Sequence, residues 1–234
     1  MLAKISSQKF VLAYCGHEND GYLATFSVNE AYAITKVAYL EYNIYQGMNN
    51  SVCVLNDTHF ALAWTDENTY LLLEVFTTPA NLSTIARIKS LDTNAIGPNN
   101  SLILIGDSHL ILASNCGASY RSGIKTLAIN GEYAITEIDT LVHDTTNNFT
   151  LQENSLAMID AAHYVLAYST GGSDGGVKTF SIDEDYDNIT ELSYLEHDTT
   201  NGTHNSIIMI DAFHPVVAYA GPDDDGFVKV FELD

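Results

Sequence analysis

Histidine follows aspartate by two or three residues at four places: Asp57–His59, Asp107–His109, Asp160–His163 and Asp211–His214. A carboxylate beside an imidazole is the pair that a general base or a metal site uses. Four copies in one chain argue against catalysis, since a catalytic base is needed once and asymmetrically. A capped turn between two strands accounts for the pattern better, because an Asp side chain bonds its own backbone two residues on. The segments His143-Asp144-Thr145-Thr146-Asn147 and His197-Asp198-Thr199-Thr200-Asn201 form a second polar set. Tyr42-Asn43 and Asp92-Thr93-Asn94 stand in the corresponding places, and all four read as side-chain-capped connecting loops.

The third set consists of Asn50, Asn100, Asn154 and Asn205 with Asp20, Asp66, Asp174 and Asp225. Amides and carboxylates beside aromatic rings bind sugar hydroxyls, and clustered carboxylates hold Ca²⁺. The same residue types also populate ordinary turns. These eight are the candidate ligand-binding residues. The sequence carries no nucleophile-elbow, zinc-helix, phosphate-loop or dinucleotide-glycine motif. No cofactor is evident, and Ca²⁺ is the one ion the acidic turns suggest.

Two functions fit these residues. One is a non-catalytic recognition or assembly module that binds carbohydrate or protein on a polar loop face. The other is a glycoside hydrolase, which needs an acid and a carboxylate about 5 to 9.5 Å apart across one cleft. Catalytic acids are needed at single positions, whereas the acids that stand out here recur. The binding module is therefore the reading taken.

The elements that position these residues come from an internal repeat. SLAMIDAAHYVLAYSTGGSDGGVKTFSID from Ser155 matches SIIMIDAFHPVVAYAGPDDDGFVKVFELD from Ser206 and MLAKISSQKFVLAYCGHENDGYLATFSVN at the start. Weaker copies begin at Ser51 and Ser101, so the repeats span 1–50, 51–100, 101–154, 155–205 and 206–234. An alanine closes the second apolar run of every copy: Ala13, Ala63, Ala113, Ala167 and Ala218. An aromatic follows in four, as Tyr14, Trp64, Tyr168 and Tyr219, with Ser114 the exception.

Each copy reads as four short strands whose burial falls from first to last. The runs Leu156–Ile159 and Tyr164–Tyr168 are nearly continuous and apolar, while Ile189–His197 is mostly polar. Asp20-Gly21, Asp174-Gly175 and Asp225-Gly226 fall between the second and third strands, where a tight hairpin wants positive φ. The expected fold is all-β: one five-bladed β-propeller over residues 1–234, built of four-stranded antiparallel blades. The fifth repeat stops after its third strand, so a three-stranded last blade is expected, unless the chain is part of a longer array.

The phasing resembles the WD-repeat blade, with an Asp-Gly turn before a third strand that ends in an aromatic. Phe180-Ser181 stands where Trp-Asp would in that family. The units also resemble tandem propeller repeats of bacterial, often marine, proteins, and the blade number is similar to that of the tachylectin-type lectins. The resemblance implies a propeller scaffold and, through the lectins, a recognition role.

Charge and composition limit the partners. Hydrophobic residues make up 46% and charged residues 17%, a balance that folds. Thirty acidic against nine basic residues give a net charge of −21. Nucleic acid is disfavoured because binding it requires clustered cations, and an anionic membrane surface is disfavoured for the same reason. Cys15, Cys53 and Cys116 have no metal-site spacing and are expected to be small buried or half-buried residues. The opening MLAKISSQKFVLAY aligns with the repeat and lacks a leader's apolar run, and no stretch approaches the roughly 20 apolar residues of a membrane span. A soluble chain is the expectation. Compartment and oligomeric state are not encoded in these features.

Overall fold

The computed structural model describes residues 1–96, 99–116, 121–145, 154–170 and 172–233, and among these the side chains of all but 94–96, 116 and 224. The chain is a five-bladed all-β propeller. Blade 1 is β1 (Leu2–Ser6), β2 (Lys9–Cys15), β3 (Gly21–Val28) and β4 (Ile34–Asn43). Blade 2 is β5 (Met48–Asn56), β6 (His59–Thr65), β7 (Tyr70–Thr77) and β8 (Ala86–Ile96). Blade 3 is β9 (Ser101–Ile105), β10 (His109–Cys116), β11 (Arg121–Ile129) and β12 (Ile135–Asp144). Blade 4 is β13 (Asn154–Met158), β14 (His163–Ser169), β15 (Gly175–Ile182) and β16 (Ile189–Asp198). Blade 5 has three strands, β17 (Thr203–Met209), β18 (Pro215–Ala220) and β19 (Gly226–Val230). In every blade neighbours in sequence are neighbours in the antiparallel sheet.

Two compact units carry these blades. One comprises 1–94 with 129–136, the other 95–128 with 137–234. In the first, Val11, Ala13 and Leu23 of blade 1 share a core with Phe60, Leu62, Trp64 and Phe76 of blade 2. In the second, Ile111, Ala113 and Ile124 of blade 3 meet Tyr164, Leu166, Tyr168 and Phe180 of blade 4. Val165, Ala167 and Val177 of blade 4 then meet Ile207, Val217 and Tyr219 of blade 5. One rule covers all three contacts. Alternate residues of the second strand point to opposite faces, so each blade has a face centred on the repeating alanine and an opposite face of mostly larger residues, rich in aromatics in blades 1, 2 and 4. The small face of one blade packs into the large face of the next.

Burial does not fall steadily along the repeat, as the apolar runs suggest. It peaks in the second and third strands: β14 and β15 are almost wholly buried, whereas β13 alternates and ends exposed at Met158. A blade's middle strands have neighbours on both sheet edges and both faces. Its first strand has a free edge, so apolar content there overstates burial. The fourth strand follows the expectation, with β16 exposed along most of its length.

Two bulges recur at the same places in blades 1 and 4. The β3–β4 and β15–β16 registers each slip once near the start of the third strand and once near its middle. The first slip leaves Tyr42 and His197 as the unpaired extra residues. A bulge re-aims a side chain, and here it turns both rings inward, where they are buried.

Ala167 is fully buried, as are its counterparts Ala13, Ala63 and Ala113, whereas Ala218 is exposed. Ala167→Leu should therefore overpack the contact and cost about 1–3 kcal/mol. Ala218→Leu should change stability by less than about 0.5 kcal/mol. Urea denaturation midpoints of the two variants measure the contrast, and equal effects would show that the repeating alanine does not set blade spacing.

Candidate functional site

The turn between second and third strands and the connection to the next blade lie side by side. The Gly47 N–H donates to the Asn19 carbonyl at 2.8 Å, and the Gly202 N–H donates to the Ser173 carbonyl at 2.7 Å. These two segment types therefore share one end of a blade; the four aspartates fall on the turns, whereas Asn50, Asn154 and Asn205, expected just before the first strands, lie inside β5, β13 and β17, and of the four asparagines Asn100 alone precedes its strand.

The positive φ expected at the Asp-Gly pairs sits earlier in the turn: at Asn19 (71°), Thr69 (67°), Ser173 (70°) and Asp223 (61°). Asp20 itself is extended, with φ −59°. Glycine is needed for room instead. A Cβ on Gly21 would lie 2.3 Å from the Tyr42 ring, and one on Gly175 would lie 2.1 Å from the His197 ring. The bulged aromatic of the fourth strand thus packs flat beneath the glycine of the third. Gly226 of three-stranded blade 5 has no atom within 4 Å of such a Cβ.

The asparagines are engaged within the chain. Asn50 Nδ2 donates to the Gly47 carbonyl at 2.9 Å, and its Oδ1 accepts the Tyr42 hydroxyl. Asn205 Nδ2 donates to the Gly202 carbonyl at 2.8 Å and to Ser169 Oγ at 3.1 Å, while its Oδ1 lies 3.1 Å from His197 Nε2. Asn154 donates to the Asn99 carbonyl at 2.9 Å and accepts Ser122 Oγ at 3.3 Å. Asn100, Asn154 and Asn205 are all buried. Asn50 and Asn205 thus tie the connecting loop to the fourth-strand aromatic beneath it, and Asn154 ties the connection that ends at Asn99 to Ser122 of β11.

The aspartates divide. Asp66 occupies the start of its turn, where its Oδ1 accepts the Asn68 N–H at 2.9 Å and the Tyr70 N–H at 2.7 Å. Its N–H donates to the Tyr70 carbonyl, the bond that Gly16, Thr170 and Gly221 make to Asp20, Asp174 and Asp225. Asp66 is therefore out of register with the other three, because blade 2 has Tyr70 where they have Asp. Among the described residues no hydrogen bond reaches the carboxylates of Asp20, Asp174 or Asp225. Beside Asp20 the Tyr22 ring stacks on Tyr14 at 5.5 Å, and Phe227, beside Asp225, stacks on Tyr219 at the same distance. The Tyr22 hydroxyl donates to Glu41 at 2.9 Å. That bond, with burial and the charges of Glu41 and Asp20, pushes the phenol up to about 12. These stacked pairs were not singled out in the sequence, although an aromatic two residues after Asp20 and Asp225 is readable there.

The His–Asp sets lie at the opposite end, in the first-to-second turns. Asp160 Oδ1 accepts the N–H groups of Ala162 and His163, and Asp211 Oδ1 those of Phe213 and His214. The expected capped turn is present. Those bonds, led by the one from Ala162 in blade 4 and from Phe213 in blade 5, hold both carboxylates below their usual range. In blade 2 the cap is Asn56 rather than Asp57, accepting the Thr58 N–H at 3.0 Å. His59 stacks on Tyr133 at 3.9 Å and His109 on Tyr186 at 3.8 Å. Each such tyrosine tops a third-to-fourth turn at positive φ, as Tyr32 does in blade 1. Of the connecting-loop set, Asn43 and Asp198 cap their loops through two backbone N–H groups each. Thr146 and Asn147 lie outside the described residues.

A buried cation was missed altogether. Lys178 Nζ donates to the His143 carbonyl at 2.6 Å and to Glu191 at 2.9 Å, and Lys229 Nζ donates to the His197 carbonyl. Arg87 does the same to the Tyr42 carbonyl at 2.5 Å while pairing with buried Glu74 at 3.2 Å. A cation of one blade thus clasps the carbonyl of an aromatic residue near the end of the preceding blade's fourth strand. Lys125, Lys178 and Lys229 share a repeat position, but the partner carbonyl is remote in sequence and gives no local signal.

Among the described residues no three His, Cys, Asp or Glu side chains converge as a metal site, and no helix is long and apolar enough to cross a membrane. Cys53 is buried and Cys15 exposed.

No family model and no curated protein matches the sequence. Solved structures match its fold. A protein from Lactobacillus plantarum aligns over 99% of this chain and 70% of its own, with a TM-score of 0.66 and 12% identity. A proposed 6-phosphogluconolactonase from Bacteroides fragilis aligns over 97% and 67%, with a TM-score of 0.62 and 12% identity. A periplasmic gluconolactonase from Pseudomonas aeruginosa aligns over 99% and 85%, with a TM-score of 0.53 and 8% identity. At these identities the likeness is one of propeller fold.

Two predictions follow from the aromatic beneath the glycine. Gly175→Ala should strongly lower the denaturation midpoint, because its Cβ meets the His197 ring, whereas Gly226→Ala should be close to neutral. Burial lowers the pKa of His59, His109 and His197, and that of His143 to about 3. The unfolded chain takes up protons that the folded chain refuses, so stability is full above about pH 6.5 and falls as the pH drops. Urea midpoints should decline between about pH 7 and pH 5, before the carboxylates titrate. His143→Phe should shrink that decline, and an unchanged pH profile would rule His143 out as a contributor.

Proposed function

We propose that this protein is a non-catalytic recognition module that binds a polyhydroxylated, carbohydrate-type ligand at the ends of its blades. One observation carries the reading. Blades 1 and 5 repeat an arrangement of a stacked aromatic pair next to a turn carboxylate, Tyr14–Tyr22 with Asp20 and Tyr219–Phe227 with Asp225. An apolar ring face covers the C–H side of a sugar while a carboxylate accepts its hydroxyls, and this division of labour suits a neutral or cationic saccharide. Asp174 completes the carboxylate set in blade 4, with Gly176 in place of the second ring. Asn50, Asn154 and Asn205 act beneath the site, holding the connecting loops against the turns, and Asn100 occupies the same position in blade 3. Asp66 lies in the corresponding turn of blade 2, out of register with the other three, and its carboxylate is spent on its own turn. Ca²⁺ is the cation to test beside the sugars, because the accepting groups are carboxylates.

A hydrolase reading draws on the lactonase names of two fold neighbours. It predicts turnover of a sugar lactone, which the recognition reading does not.

A ligand that binds only the folded chain raises its stability by RT ln(1 + [L]/Kd), about 2.7 kcal/mol at a hundredfold excess over Kd. A thermal-shift screen of common saccharides, each with and without Ca²⁺, should yield an upward shift for at least one. The shift should disappear in an Asp20→Asn, Asp174→Asn, Asp225→Asn variant. No shift with any saccharide, together with measurable hydrolysis of gluconolactone above the buffer rate, would favour the enzyme.

A further inference from the structure

Where blade 4 meets the end of blade 3, within one compact unit, buried polar groups are left unsatisfied. Tyr168 is 2% exposed, yet its hydroxyl makes no hydrogen bond among the described residues. Its counterpart Tyr219 donates to Asp198 at 3.2 Å, whereas Tyr168 makes no such bond to Asp144, which holds the same position. His143, 8% exposed, packs edge-on against Tyr168 with ring centroids 4.9 Å apart. Neither of its ring nitrogens has a partner among the described residues, although its counterparts Tyr42 and His197 bond Asn50 and Asn205. A missing ring accompanies these groups. In blade 1 Tyr22 stacks on Tyr14 and donates its hydroxyl to Glu41. Gly176 stands where Tyr22 does, and it faces Glu196 in the strand register as Tyr22 faces Glu41. A Cβ on Gly176 would lie 2.8 Å from the Tyr168 ring and 3.0 Å from the Tyr194 ring, so both rings border bare backbone.

We propose that this part of blade 4 is a subsite for an ammonium group, so that the saccharide recognised is an amino sugar; the proposal rests on the recognition reading above. Tyr22 of blade 1 shows what the place over Gly176 accepts: a ring on the platform tyrosine with a donor aimed at the carboxylate opposite. The charges decide what kind of donor. Lys178, 5.4 Å from the centre of the Tyr194 ring, is matched by Glu191 and bonds the His143 carbonyl. Among the described residues no cation pairs with Glu196 or Asp174. Burial, then the charges of Glu196, Asp144 and Asp174, push the Tyr194 phenol above its usual range. The unused groups all accept: the Glu196 carboxylate, the Tyr168 hydroxyl oxygen and the bare nitrogen of His143, which burial and the Lys178 charge keep neutral. Tyr194, 48% exposed, offers its ring to the C–H face of the sugar and to the cation. A neutral sugar would leave both carboxylates uncompensated, and an anion would be repelled by them.

Calorimetric titration of the whole chain with glucosamine, N-acetylglucosamine and glucose tests this, at a pH where the amine is protonated. Glucosamine should bind at least about tenfold more tightly than the other two, because acetylation removes the charge and glucose lacks the nitrogen. Tyr168→Phe deletes a hydroxyl that bonds nothing in the free chain, so its urea midpoint should match the wild type. Glu196→Gln alters an exposed side chain and should fold equally well. Each of the two should weaken glucosamine about tenfold and leave glucose unchanged. A variant with Asp20→Asn and Asp225→Asn should keep the preference, since blade 4 retains its groups. Measurable but equal affinities for the three sugars would overturn the subsite and leave the recognition reading standing. A glucosamine preference that survives both blade 4 substitutions, or disappears with Asp20 and Asp225, would overturn it by placing the amine elsewhere. Binding of none of the three would overturn it too, while the wider saccharide screen still judges the recognition reading.

Discussion

A single blade of this repeat cannot bury its own faces, and everything else in the fold follows from that constraint. A three- or four-stranded sheet this small has no interior. Its apolar side chains are dried only when another sheet lies on each side. The repeating alanine sets how closely that sheet approaches: Ala13, Ala113 and Ala167 let the neighbouring blade seat its rings against the strand backbone. Polar consequences come with the close approach. The last strand of one blade ends near the third strand of the next, and its carbonyl, which would otherwise lose water without a partner, receives Lys178, Lys229 or Arg87. An unsatisfied buried carbonyl costs about 1–3 kcal/mol, and a charged donor repays more than a neutral one.

This use of cations explains part of the charge imbalance. Lys9 donates to the Ala80 carbonyl and Lys125 pairs with Glu137, so with Arg87, Lys178 and Lys229 five of the nine basic residues are committed to contacts within or between blades. The acids remain largely in turns and on fourth strands. The result is a chain of net charge −21 in which cations are placed at contacts between and within blades.

How much of this was legible depended on whether the cause is local. The alanine–aromatic register and the strand order could be read because the second strands of blades 2, 3 and 4 are buried in the same way. The Asx turns at Asp160 and Asp211 were legible too, since the cap and the capped N–H groups are three residues apart at most. Asp66 was misplaced because blade 2 changes its turn residues, and only the backbone bond to Tyr70 reveals the true register. The Asp-Gly pairs carried a correct signal with the wrong cause. Gly21 and Gly175 are required by the ring beneath them, and that ring is placed by a bulge about twenty residues later. The clasp was illegible for the same reason, as Lys178 meets a carbonyl 35 residues earlier and on another blade.

The candidate site illustrates how a repeat separates scaffold from function when most of its polar positions recur. Equivalent positions carry equivalent polar side chains, so recurrence alone cannot rank them. Hydrogen-bond saturation can. Asn50, Asn154 and Asn205 satisfy their amides on neighbouring loops and have little left to offer a ligand. Asp20, Asp174 and Asp225 stand a few residues away with accepting oxygens that the described residues do not use. A turn former needs only its own backbone, and extended backbone such as that of Asp20 needs no carboxylate to hold it. Among the described residues the carboxylates of these three make no hydrogen bond to their turns, and stacked rings lie beside two of them.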